Sequence, residues 1–178
     1  MPLTSLEVFR EKQIHSILGE YGYLPDRILV DVATYDPVMH VMTGILNIGR
    51  SDVDVRISPV TETLPATSLN TFAQQVLELL FFVHARSMPD ALPVMGSMSV
   101  NHYRPATAPG IFTCTTDVRP RVIGSDERTG MYQATVVCGE MHTDREKPVI
   151  ACMRCSFATG KKSVLRKMGV VSSKKNGG

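Results

Sequence analysis

The sequence predicts an α+β protein: an antiparallel sheet wrapped around one long central helix, with a further helix at the N-terminus. Three observations carry that prediction. Residues 66–87, ATSLNTFAQQVLELLFFVHARS, read as a helix that is apolar on almost every side. Leu69, Phe72, Ala73, Val76, Leu77, Leu79, Leu80, Phe81, Phe82 and Val83 leave no broad face for solvent, so protein must enclose it. At about 1.5 Å per residue such a helix is roughly 33 Å long, enough to span a small domain. Strand-like segments flank it on both sides, and short turns between the later ones favour antiparallel hairpins.

The elements follow in order. Residues 4–20 predict an amphipathic helix, capped by Thr4 or Ser5, with Leu6, Phe9, Ile14, Ile17 and Leu18 on its apolar side. Gly22 and Pro25 end it. Two strands are expected at 27–36 and 39–48, joined by a turn at Asp36-Pro37. Residues 49–65 are polar and turn-rich, and Pro65 falls in the first turn of the long helix, where a missing N–H is tolerated. After Met88-Pro89-Asp90, strands are expected at 94–104, 111–123, 131–142 and 149–159, separated by Pro- and Gly-containing turns. There is no internal repeat. The expected organisation is one domain over residues 1–160 and a basic tail over 161–178.

Composition bounds the function. A chain of 178 residues with 43% hydrophobic and 20% charged residues has the balance of a globular domain able to bury a core. Asn70, Thr71, Gln74, Gln75, Glu78, His84 and Arg86 argue against reading the long helix as a membrane span. The first residues carry Glu and Lys where a signal peptide needs an apolar run, so the expected location is cytoplasmic, with no membrane partner. The tail contributes +6 to a net charge of +2, leaving −4 for residues 1–160. That acidic body gives no reason to expect nucleic-acid binding. The tail reads as a solvated terminus, or alternatively as a contact for CoA phosphates or an acidic carrier protein. Cys152 and Cys155 form a C-x-x-C, but on a strand this odd spacing sends them to opposite faces, which fits core thiols better than a metal or redox pair. No metal site is expected.

Two segments resemble the 3-hydroxyacyl-thioester dehydratases of the hotdog superfamily. ISPVTETLPATSLNTFAQQ is similar to their H-F-P-G-R-P-V-M-P-G pattern, which leads into a helix bearing a catalytic Glu and a Gln. YRPATAPGIF is similar to their K-R-P-V-x-P-G turn. Laid on that pattern, Ile57 stands where the dehydratase His would be and Thr71 where the Glu would be; Gln75 alone matches. Dehydration needs a positioned acid/base pair, which Ile and Thr do not supply. Over residues 13–160 the chain is more similar to the type III long-chain fatty acyl-CoA thioesterases, also hotdog proteins, through QIHSILGEYGYLPDRILVDVATYD, GILNIG, the long helix and YRPATAPGIFTCTTDVRPRVI. That resemblance implies a hotdog fold, at least a homodimer, and thioester polarisation by two tyrosines and an asparagine. The first tyrosine matches Tyr21. The second falls near Val53 and the asparagine near Pro65, so both are absent, although Asn70 lies a little over one turn beyond.

The residues themselves point the same way. Thr71, Gln75 and Glu78 share one stripe of the long helix, with Asn70 and Gln74 beside it. Buried amides and hydroxyls in so apolar a helix either bond neighbouring strands or form a polar strip beside an acyl tunnel. Backbone N–H groups around Ala66, Thr67, Ser68 and Leu69 are placed to stabilise an oxyanion. Thr71 or Gln75 would orient water, with Asp54 or Glu62 of the preceding loop as bases, and His102 is a further substrate-binding candidate. The expected reaction is hydrolysis of an acyl-CoA or acyl carrier protein thioester, with CoA or phosphopantetheine as part of the substrate and no separate cofactor. The alternatives are a dehydratase or hydratase with a relocated acid/base pair, and a non-catalytic acyl-thioester binding protein.

Overall fold

The computed structural model describes residues 5–49, 63–87, 91–121, 131–141 and 149–161. Nine strands and two α-helices follow one another in this region. They are β1 (Glu7–Arg10), α1 (Glu11–Glu20), β2 (Val32–Asp36), β3 (Val41–Ile48), β4 (Thr63–Leu64), α2 (Ala66–Ser87), β5 (Ala91–His102), β6 (Ala106–Thr107), β7 (Gly110–Arg121), β8 (Met131–Glu140) and β9 (Val149–Lys161). Seven strands form one antiparallel sheet in the order β1-β2-β3-β7-β8-β9-β5. β4 and β6 form a separate two-stranded ribbon.

The long helix begins at Ala66 and ends at Ser87, the bounds its sequence predicts. Leu69, Phe72, Val76, Leu77, Leu79 and Leu80 are buried, together with Met42, Leu46, Phe112, Ala134, Val136 and Met153 of the sheet. Gly44 on β3 allows the helix to sit this close: a Cβ at that position would run into the side chain of Val76. Among the described residues, no helix is long and apolar enough to cross a membrane.

Three sequence expectations are corrected. The helix expected over 4–20 is a strand followed by a helix, because Glu7–Arg10 pairs with β2 and buries Phe9 while leaving Val8 exposed. Phe9 suits either period, so its spacing from Ile14 did not separate strand from helix. The helix proper starts after Arg10, whose N–H donates to Gln13 Oε1 at 3.2 Å. The strand expected over 27–36 shortens to Val32–Asp36. Pro25–Arg27 is a single 3₁₀ turn, and the chain from Ile28 to Val30 is buried irregular backbone in which the Leu29 N–H bonds to a helix side chain described below. Finally, Cys114 and Cys138 face each other on β7 and β8 and are joined as a disulfide, a pairing the sequence reading did not anticipate. Cys152 and Cys155 are free, half-buried and buried respectively, as their odd spacing implies.

Candidate functional site

The ribbon of β4 and β6 frames the start of α2. Thr63 pairs with Thr107 and Leu64 with Ala106, which holds Pro65 at the helix entrance. The Pro65 carbonyl accepts the Leu69 N–H at 3.1 Å, so the hydrogen-bond ladder begins there. The N–H groups of Ala66, Thr67 and Ser68 precede the ladder and have no acceptor within the helix. Of the four N–H groups expected to face a substrate, that of Leu69 is therefore already committed.

A cleft of about 290 Å³ opens beside this turn, lined by Thr63, Ala66, Leu69, His102, Tyr103 and Arg104, among others. β5 ends at His102, and the Tyr103 N–H donates to the Ile150 carbonyl at 2.8 Å as the chain turns away. That turn leaves both His102 and Tyr103 exposed at the cleft. Arg104 Nη2 donates to Glu140 Oε2 at 3.1 Å, and Glu140 is much the more buried of the two. One cleft thus gathers the start of α2, an imidazole, a phenol and a guanidinium braced by a carboxylate.

The other candidates on α2 lie elsewhere or have other partners. Gln75 is fully buried, and its Oε1 accepts the Leu29 N–H at 2.8 Å. Its Nε2 donates to the Arg27 carbonyl, also at 2.8 Å. Both ends of the amide are consumed in holding the irregular segment at Arg27 and Leu29 against the helix. Thr71 Oγ1 donates to the Thr67 carbonyl at 3.0 Å, one turn back on its own helix. Asn70 is half-buried. Asp54 and Glu62 lie outside the described residues.

Tyr21 belongs to a second polar cluster that sequence reasoning did not assemble. Helix α1 closes on Gly22 at φ +94°, with Gly22 N–H donating to the Gly19 carbonyl at 3.0 Å and Tyr23 N–H to the Leu18 carbonyl at 3.2 Å. This paired closure requires a left-handed residue, which Gly supplies. It brings Tyr21 and Tyr23, on either side of the glycine, toward Glu78 of α2. Burial pushes the Tyr21 phenol up to about 12, with the Glu78 and Glu20 carboxylates adding to the effect. Burial and Glu78 also raise Tyr23 above the ordinary phenol range. Glu78 itself is raised above the carboxylate range by burial, which the Gln74 amide and the Tyr23 hydroxyl partly offset. Of those two, the Gln74 contact has full hydrogen-bond geometry, at 3.0 Å, while Glu78 Oε2 is buried without a partner. Glu78 lies twelve residues, or about 18 Å of helix, from Ala66. Tyr21 and the α2 N-terminus are therefore not one site. The sequence signal for this cluster was Glu78, a carboxylate in the middle of a largely apolar helix; its partners after α1 were not legible.

Among the described residues, no group of three or more His, Cys, Asp or Glu is placed to hold a metal ion. No family model matches the chain, and no curated protein matches it by sequence. Solved structures do match it in shape. A mutant thioesterase from Pseudomonas aeruginosa is 12% identical, with a TM-score of 0.57 over 86% of this chain and 95% of that one. A mutant acyl-CoA hydrolase from Staphylococcus aureus, in complex with coenzyme A, is 13% identical, with a TM-score of 0.54 over 71% of this chain and 68% of that one. A hot-dog-like protein from Thermanaerovibrio acidaminovorans is 16% identical, with a TM-score of 0.52 over 78% and 91%. At such identities the likeness is one of fold. A sheet of seven antiparallel strands packed on one long central helix, superposing on these structures, makes this chain a hotdog-fold protein.

Proposed function

We propose that the protein hydrolyses acyl thioesters in the cleft beside the start of α2. The observation that carries this reading is the meeting at one cleft of His102, Tyr103 and Ala66, whose N–H precedes the helical ladder. Thioester hydrolysis needs water to add to the carbonyl carbon, a place for the negative charge that moves to oxygen, and a proton for the departing sulfur. Backbone N–H groups at the first turn of a helix stabilise such an oxyanion and need no reorganisation to do so. The His102 imidazole takes a proton from the attacking water. The tetrahedral intermediate then collapses, the carbon–sulfur bond breaks, and the same imidazole returns the proton to the thiolate. Tyr103, which lines the same cleft, is the group we assign to hydrogen-bonding the pantetheine arm of the substrate.

The two neighbours named as a thioesterase and an acyl-CoA hydrolase support the reaction class, and the coenzyme A bound to the second supports acyl-CoA as the carrier to test first. An acyl carrier protein thioester presents the same pantetheine arm and is the second substrate of the reading. The assembly we propose is a homodimer. β5 is an outer strand of the sheet and pairs only with β9 among the described strands, so its other edge is open to a second copy. Pairing there would bring the second copy to the strand that ends at His102.

The test is a panel of acyl-CoA and carrier-bound thioesters of different chain length, followed both for free thiol and for enoyl product. Thiol release without enoyl formation is the expected result. Enoyl formation from 3-hydroxyacyl-CoA would replace hydrolysis with dehydration. Binding with neither product would make this an acyl-thioester binding protein.

A further inference from the structure

The cleft beside α2 has a polar mouth and an apolar floor, and the proposed chemistry uses only the mouth. His102 and Tyr103 are exposed at the mouth, while Leu64, Leu69, Ala106 and Ile150, all almost wholly buried, close the bottom. Leu64 and Ala106 are cross-strand partners on the two-stranded ribbon, and Leu69 lies near the start of α2. Ile150 arrives from β9 by a local irregularity. Val149 pairs with Gly139 and Ala151 with Cys138, so Ile150 is an extra residue with no counterpart on β8. Strict alternation along a strand would send either Ile150 or Ala151 outward. Both are buried instead, between an exposed Val149 and a half-buried Cys152. This is the pattern of a β-bulge, which re-aims a side chain and is common beside functional sites. The Ile150 carbonyl also accepts the Tyr103 N–H at 2.8 Å, so the residue that lines the floor holds the chain that forms the mouth.

We propose that Ile150, set in place by the bulge, is the stop for the acyl chain, and that the cleft takes acyl groups of about eight carbons or fewer. The proposal rests on the reading of the cleft as a site for acyl thioesters and specifies the substrate class within it. The four floor side chains are hydrocarbon and offer no hydrogen-bonding group, which suits an alkyl chain and not a polar acyl group. The cleft volume, about 290 Å³, is at the lower end of ligand pockets, which run from about 300 to 1,000 Å³. It holds about ten groups the size of a water molecule, at about 30 Å³ each. A methylene is close to that size, and the thioester carbonyl and sulfur fill about two of the places, which leaves about eight for the chain. A longer chain has to deepen the floor or leave its end in water, and Ile150 stands where the floor would deepen. The preferred acyl group is therefore shorter than the long fatty chains that the sequence resemblance implies.

Calorimetric titration of the full chain with S-alkyl-CoA thioethers, which have no carbonyl to hydrolyse, tests this over alkyl chains of two to sixteen carbons. Affinity is expected to rise about fourfold for each methylene that enters the floor. The rise is expected to stop at about eight carbons. Ile150→Ala removes three carbons from the floor and is expected to move that break about two to three carbons longer, and Ile150→Val about one. Ala106→Val fills the floor from the opposite side and is expected to move the break shorter. Far-UV circular dichroism identifies any variant that fails to fold; the two valine variants are mild enough to give the direction of the shift without Ile150→Ala. Affinity that climbs unbroken to sixteen carbons, a break that stays put in the folded variants, or no binding of any thioether would overturn the proposal. Thiol release from the matching acyl-CoA series separates it from the reading of the reaction. A length break without thiol release removes hydrolysis and leaves the stop at Ile150 in place, while thiol release at one rate for every length removes the stop alone.

Discussion

Gln75 illustrates how a residue that looks catalytic in sequence can have both ends of its side chain taken up by backbone partners in the fold. It is the one position that matches the dehydratase helix, yet its amide is fully buried and bonded at both ends to backbone 46 and 48 residues away. Gln75→Ala would leave the Leu29 N–H and the Arg27 carbonyl without these partners, at a cost of about 2–4 kcal/mol in unfolding free energy. Chemical denaturation measures that directly. Glu78 gives a prediction of the opposite sign. Its carboxyl is raised in the fold, so the folded chain binds a proton more tightly than the unfolded chain does. Its contribution is greatest below the unfolded value, 4.5, and is lost as pH rises through the folded value. Glu78→Gln removes that loss and can donate to the Tyr23 hydroxyl. The variant is therefore expected to melt at a higher temperature than the parent at pH 7 to 8, with the difference shrinking toward pH 4. A lower melting temperature at pH 7 would show that the carboxylate stabilises the fold. Neither role was legible in the sequence, because each depends on partners brought in by distant chain: Leu29 and Arg27 for Gln75, Tyr21 and Tyr23 for Glu78.

At the scale of elements, α2 was fully legible and its neighbours only in part. Its apolar residues cover every side, and no alternative period competes with that pattern. β5, β7, β8 and β9 were legible because Pro and Gly punctuate them, although their ends shift by a few residues. The N-terminal segment was harder: Glu7–Arg10 alternates as a strand while Phe9 also continues the helical spacing of Ile14 and Ile17, and the pairing with β2 decides between them. β4 and β6 are two residues each and carry no pattern, yet they frame the cleft. The packing of α2 on β3 depends on Gly44. Gly44→Ala would drive a methyl group into Val76 and is expected to destabilise the fold by about 1–3 kcal/mol. Val76→Ala should recover part of that loss in the double variant, since it removes the atoms the new methyl group meets. Additive losses in the double-mutant cycle would mean that the two positions are not coupled.

Across the whole molecule, the cleft is a product of topology. Thr63 comes from β4, Ala66 and Leu69 from α2, His102 from the end of β5, and Ala106 from β6. The sequence named Ala66, Thr67, Ser68 and His102 as candidates, and the fold brings Ala66 and His102 to one opening. It sets Tyr21 well along the helix with Glu78 instead, and it commits Thr71 and Gln75 to backbone partners. On this account the first turn of α2 and His102 carry the chemistry. The most direct test is the rate of thiol release from acyl-CoA by His102→Ala, beside the parent protein and with the melting temperature of both recorded. The account predicts a fall in kcat of about a hundredfold or more, the scale of a lost general acid and base, with the melting temperature unchanged. An unchanged kcat in a folded His102→Ala protein would contradict it.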